Sequence, residues 1–181
     1  GVGEIHLLDR ERFEYANTFR HVCGRAHAGR TKVEGLRLEI ERLWPFVKVV
    51  PHVADVLGWM RERPTAFRDY DLVVSALGNP TVEQRVNEVI HADPSAPPVM
   101  FAWLEPLGLG GHVLLAHVGA ASRGCFECLY HHAGDDGALA CRTAFAAPGG
   151  RYTRDTMGCG SKHMAFADLD DNMTLIEDFV S

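Results

Sequence analysis

The chain is 181 residues long, 46% hydrophobic and 23% charged, an ordinary soluble balance with enough length for one domain to bury a core without staples. Lys and Arg number 18 against 24 Asp and Glu, a net charge of −6 with no long block of one sign, which argues against a general nucleic-acid binder. No apolar run approaches the ~20 residues of a membrane span, and no secretory signal is evident, so a cytoplasmic location is expected.

Ile5-His6-Leu7-Leu8 reads as a short apolar strand ending in Asp9, an acid well placed to accept hydrogen bonds from ribose hydroxyls. A polar turn follows, with Asn17 and Arg20 three residues apart, and Lys32 lies in the first turns of an amphipathic helix over residues 28–43. An Asn, an Arg and a Lys converging beyond such an acid can gather phosphate oxygens, the Arg as a fork and the Lys as a point charge. In that helix Val33, Leu36, Ile40 and Leu43 form one apolar stripe, and Trp44-Pro45 ends it. Residues 46–50 read as a strand closed by Pro51, and 52–63 as a short helix with Val53, Val56, Leu57 and Met60 inward. Residues 71–76 form a near-continuous apolar run, the pattern of a central parallel strand. Gly78-Asn79-Pro80 turns the chain, and Thr81 is placed to cap a helix to about Ile90 with Val82, Val86 and Val89 on one face. Residues 99–104 and 112–117 read as two more strands. Strands alternating with helices imply right-handed βαβ units and a mostly parallel α/β sheet.

From 119 to 162 the periodicity fails, and four of the five cysteines fall there: Cys125, Cys128, Cys141 and Cys159. A stretch of that length without regular structure reads as a functional loop. Residues 164–180 resume helical spacing, with Phe166, Leu169, Met173, Ile176 and Val180 on one stripe. The odd cysteine count and the Cys125-x-x-Cys128 pair point to metal binding or catalysis rather than a disulfide framework. Two thiolates at this spacing can share a tetrahedral zinc, with His131, His132 or Cys141 as nearby further ligands; a redox pair is the competing reading. Cys159 stands before the 164–180 helix, where a thiolate is favoured and nucleophilic. Cys23 reads as a buried structural thiol, and His6 and His52 have no evident constellation around them.

Asp9, Asn17, Arg20 and Lys32 behind the Gly1-Val2-Gly3 lead, with Gly78-Asn79, Gly111-His112-Val113 and Cys125-x-x-Cys128, resemble the ThiF/MoeB family of ubiquitin-activating-type adenylation domains. The resemblance covers nearly the whole chain and implies a Rossmann-like fold without its first βα unit, that unit and its glycine-rich phosphate loop being expected upstream of Gly1. It implies ATP-dependent adenylation of the C-terminal carboxylate of a ubiquitin-like protein, with Asp9, Asn17, Arg20, Lys32 and Asn79 at the nucleotide. A transfer to Cys159 is implied next, from a crossover spanning 119–162, with Cys141 as the rival nucleophile. The family's Mg²⁺-holding Asp falls at Gly78, which has no ligand to give. A homodimer is implied, and the alternatives within the family are a sulfur-carrier adenylyltransferase of thiamine or molybdopterin type and an inactive nucleotide-binding or dimerisation scaffold.

Overall fold

A computed structural model describes residues 1–18, 21–104, 111–117, 124–132 and 139–142. Arg20, Cys159 and the helix expected over 164–180 lie outside the described residues, as does most of the 119–162 stretch. The chain divides into two compact units, Gly1–Pro64 and Thr65–Ser181.

The first unit is built on two parallel strands, β1 (Glu4–Leu8) and β2 (Lys48–His52), paired from Glu4↔Lys48 to Leu8↔His52. Parallel strands need a long crossover, and here it carries helix α1 (Lys32–Leu43), which packs against both strands. Val33 and Gly35 of α1 and Val47 and Val49 beside and within β2 are buried. The helix begins four residues later than its sequence pattern suggests. Gly29 has a φ of 87°, a left-handed conformation that separates a 3₁₀ turn at Arg25–His27 from α1. Strand β2 is likewise displaced, because the Val47 N–H turns back to the Trp44 carbonyl (3.0 Å) and leaves Phe46 exposed. Pro51 lies inside β2 rather than closing it; among the described residues β2 pairs with β1 alone, and such an edge strand tolerates a residue without an N–H. Helix α2 (Val56–Glu62) starts where the Asp55 carboxylate accepts the Gly58 N–H (3.0 Å), so Val53 falls before the helix and is exposed instead of inward.

The second unit holds a three-stranded sheet in the order β3-β4-β5: β3 (Val73–Ser75), β4 (Val99–Leu104) and β5 (Gly111–Ala116). β3 and β4 are parallel, joined through helix α3 (Pro80–His91). The central strand of this sheet is β4, whose Val99, Met100, Phe101 and Ala102 are all buried, whereas Val74 of β3 is exposed; β3 was expected in the central place. β4 and β5 pair antiparallel, since residues 105–110 are too few for a parallel crossover. A 3₁₀ turn at Phe126–Leu129 seats Phe126 against Phe101, ring centroids 4.6 Å apart, and β6 (Tyr130–His132) pairs antiparallel with β7 (Leu139–Cys141). Among the described residues no helix is long and apolar enough to cross a membrane.

Candidate functional site

In the first unit Asp9 and Lys32 are both tied to Glu11, just beyond the carboxyl end of β1. The Asp9 N–H continues the ladder to the His52 carbonyl (3.2 Å), and the Asp9 carboxylate then accepts the Glu11 N–H at 2.7 Å, turning the chain sharply off the strand. The segment runs back along the approach to α1. Phe13 N–H donates to the Arg30 carbonyl (2.8 Å), and Lys32 N–H to the Glu11 carbonyl (2.9 Å). The Glu11 carboxylate meets the Lys32 ammonium at 2.5 Å, with the Lys32 side chain 14% exposed. Asp9 and Lys32 are thus brought together through Glu11, a residue sequence reasoning passed over. Its signal was an acid two residues beyond a strand-end Asp.

Asn17 is buried, and its Oδ1 accepts the Glu14 N–H (2.7 Å), so it shapes the Tyr15–Asn17 turn that follows Asp9. Cys23 is fully buried, its thiol pushed up by burial and then by the Glu39 charge, as suits a structural cysteine. Beside it the His27 ring meets the Glu39 carboxylate at 2.7 Å, and Gly35 of α1 gives both residues room.

His6 and His52, expected to stand without a constellation, form one. The β1–β2 register sets His6 opposite Val50, two residues from His52 on the same face, and His6 Nδ1 lies 2.9 Å from His52 Nε2. The other nitrogen of His6 meets the Glu4 carboxylate (2.8 Å), which Lys48 also reaches (3.0 Å). Burial, then the charges of His6 and Arg63, hold His52 below its ordinary pKa.

In the second unit, the carboxyl end of β3 leads into a turn where Gly78 has a φ of 62°. Asn79, expected at the nucleotide, is the N-cap of α3. Its Oδ1 accepts the Val82 N–H (3.3 Å), and Pro80 opens the helix, so Thr81 is not the cap. The inner stripe of α3 is Glu83, Val86, Asn87 and Ile90; of the three valines expected there, Val86 belongs to it and Val82 and Val89 do not. Glu83 is 2% exposed, and its Oε1 accepts the Leu77 N–H at 3.1 Å. Burial raises its pKa, and the amides of Leu77 and Gly78 offset part of that. With glycine at 78 and this carboxylate already bonded to the turn, the residues there do not fit a bound Mg²⁺.

Cys125 and Cys128 are free, with sulfurs 3.5 Å apart. A tetrahedral zinc with Zn–S of ~2.3 Å needs its sulfurs ~3.8 Å apart, so the pair fits two of the four corners. Among the described residues no group of three or more His, Cys, Asp or Glu side chains could hold a metal ion. The register does set Cys141 of β7 opposite Tyr130, two residues past Cys128. Burial pushes the Cys125 thiol up, but hydrogen bonds from the Cys128 amide and thiol, the Asn87 side chain and the Glu127 amide outweigh it and leave it lowered.

The sequence matches the ThiF family across residues 1–150, and the chain belongs to that family. It is 32% identical over 89 residues to the adenylyltransferase and sulfurtransferase uba4 of Emericella nidulans, an overlap of 49% of this chain and 18% of that protein. The Aspergillus clavatus protein of the same name is 30% identical over the same length and shares. The overlap thus spans less than a fifth of these relatives' length. Among solved structures, E. coli MccB with AMPCPP and MccA shares the fold at a TM-score of 0.55 and 22% identity, over 71% of this chain and 37% of that one. E. coli MccB with MccA-N7isoASN gives 0.56 and 22%, over 70% and 36%.

Proposed function

We propose that this chain carries the nucleotide site of an adenylyltransferase that activates the C-terminal carboxylate of a ubiquitin-like or sulfur-carrier protein. The observation that carries the reading is the Asp9–Glu11–Lys32 arrangement at the carboxyl end of β1, in a member of the ThiF family with relatives named adenylyltransferases. Ligands of open α/β sheets bind outside the carboxyl ends of the strands. Asp9 accepts the ribose hydroxyls, and Asn17 orders the turn beyond it. Arg20 and Lys32 balance phosphate charge, Lys32 exchanging its bond to Glu11 for phosphate oxygens as ATP enters. The partner's carboxylate attacks the α-phosphorus, the bond to the bridging oxygen breaks, and pyrophosphate leaves an acyl-adenylate. Positioning and charge stabilisation supply most of this step. No step is assigned to Mg²⁺, for want of a ligand in the β3 turn.

Cys159 then attacks the acyl carbon as thiolate and AMP leaves, giving a thioester; Cys141 is the alternative acceptor. In a sulfur-carrier pathway sulfide from a separate donor attacks the same acyl carbon instead, AMP leaves and a thiocarboxylate forms. Cys125 and Cys128 hold a structural zinc with two further ligands, for which His131, His132 and Cys141 are nearby candidates. A cytoplasmic homodimer completes the reading.

ATP–pyrophosphate exchange in the intact protein with its carrier tests the first step. Lys32→Ala and Arg20→Ala should each lower it ~100-fold, the scale of one lost charge-stabilising donor. Unchanged exchange in either variant would refute the role assigned to that residue, and absence of exchange in the wild-type protein would leave an inactive scaffold as the better account. Cys159→Ala should retain exchange and lose the reducible adduct with the carrier; loss in Cys141→Ala alone makes Cys141 the acceptor.

A further inference from the structure

Helix α3 turns two buried polar side chains inward, one turn apart, and each holds a backbone amide outside the helix. Glu83 bonds the turn after β3; Asn87 reaches the cysteines. We propose that Asn87 is the positioning residue of the Cys125–Cys128 pair, setting from α3 the spacing of two thiols for a soft, tetrahedral cation. The proposal rests on the zinc reading above.

Asn87 is 2% exposed, and its Oδ1 accepts the Phe126 N–H at 3.1 Å, a contact spanning 39 residues of sequence. That N–H belongs to the residue directly after Cys125, so the bond fixes the backbone between the thiols. With its oxygen so engaged, the side chain meets the Cys125 sulfur through its other end, the –NH₂ donor. The remaining contacts hold this arrangement from both sides. Phe126 is 1% exposed, and its ring packs 4.6 Å from Phe101 and 5.9 Å from Trp103. The Cys128 N–H closes the turn on the Cys125 carbonyl at 3.0 Å. A buried amide that met neither group would cost stability, whereas this one satisfies both its ends on the cysteine turn. Outer contacts of this kind orient metal ligands.

Zinc affinity of the full chain, measured by competition with a chromophoric chelator, tests the proposal, with Co²⁺ substitution to count thiolate ligands from the charge-transfer band. Asn87→Leu removes both bonds at similar volume. Asn87→Asp keeps an acceptor for Phe126 and replaces the donor facing the sulfur, which keeps the test open should the Leu variant fold poorly. Val86→Ala, on the same buried stripe, is the control for packing loss alone. Asn87→Leu and Asn87→Asp should bind zinc ~10–100-fold more weakly with a diminished Co²⁺–thiolate band, the usual scale for such outer contacts, while Val86→Ala stays near wild type. Either Asn87 variant binding as wild type does, or Val86→Ala losing as much, overturns the proposal. If the wild-type chain takes up neither Zn²⁺ nor Co²⁺, the zinc reading fails by itself. Positioning is then decided with phenylarsine oxide, which needs only the dithiol. Capture weakened ~10-fold in Asn87→Leu and preserved in Val86→Ala supports it, and equal capture refutes it.

Discussion

Glu83 offers a sharp test of how the turn after β3 is held. Its carboxyl is 2% exposed and accepts the Leu77 N–H at 3.1 Å, and burial keeps its pKa above the ordinary 4.5. Glu83→Ala leaves the amides of Leu77 and Gly78 without this acceptor. The loss should be about 1–3 kcal/mol of stability, the cost of a buried donor left unmet. Glu83→Gln isolates the charge. A carboxyl whose folded pKa is raised contributes stability that is fully present below its unfolded pKa and lost as pH rises through the folded value. Glu4, Glu34, Glu39 and Asp93 shift the other way, so their contributions are present at higher pH and fade as pH falls. The difference between wild type and Glu83→Gln cancels those groups. In urea unfolding, wild type should therefore lose stability relative to Glu83→Gln as pH rises from about 4.5 through the folded pKa of Glu83. Hydrogen exchange at the Leu77 amide gives the local readout. Parallel stability curves for the two proteins across that window, with no change at Leu77, would refute this account of the turn.

Asn79→Ala removes the cap of α3 and should cost ~1 kcal/mol in thermal unfolding. Nucleotide affinity decides whether Asn79 also serves the nucleotide: a large loss at intact stability would support that role, and unchanged affinity would leave it a cap alone. Gly35→Ala would set a Cβ 3.3 Å from the Cys23 sulfur and 3.4 Å from His27 Cβ. Although alanine gains ~1 kcal/mol of helix propensity over glycine, crowding against a fully buried thiol should leave the variant no more stable than wild type. A clear rise in melting temperature would show that Cys23 and His27 give way easily.

The strands were legible where packing follows an apolar run. β1 and β4 fall almost where Ile5 to Leu8 and Val99 to Leu104 put them. The buried stripe of α3 was misread because two of its four members, Glu83 and Asn87, are polar. Each is tolerated inside because it answers a backbone amide outside the helix, and hydrophobic periodicity carries no trace of that. The His6–His52 contact depends on the register of β1 against β2, which only pairing sets. Caps shifted the helix starts: Asp55 and Asn79 outcompeted the earlier and later positions that pattern alone suggested. At the end of β1, Asp9 and Lys32 were singled out in the sequence, but Glu11, which joins them, was not.

Direct binding of a non-hydrolysable ATP analogue to the intact protein, by calorimetry, addresses the central claim that the β1 strand end is a nucleotide site. Lys32 is held beside the Asp9 turn by Glu11 at 2.5 Å, and in the proposed function it exchanges that carboxylate for phosphate. Losing a hydrogen bond between charged groups costs about 1.5–3 kcal/mol. Lys32→Ala should accordingly bind the analogue roughly 10–100-fold more weakly than wild type. Asp9→Asn, which weakens acceptance of the ribose hydroxyls, should lower affinity for the ATP analogue and leave that for inorganic triphosphate unchanged. Wild-type affinity in both variants would contradict the claim.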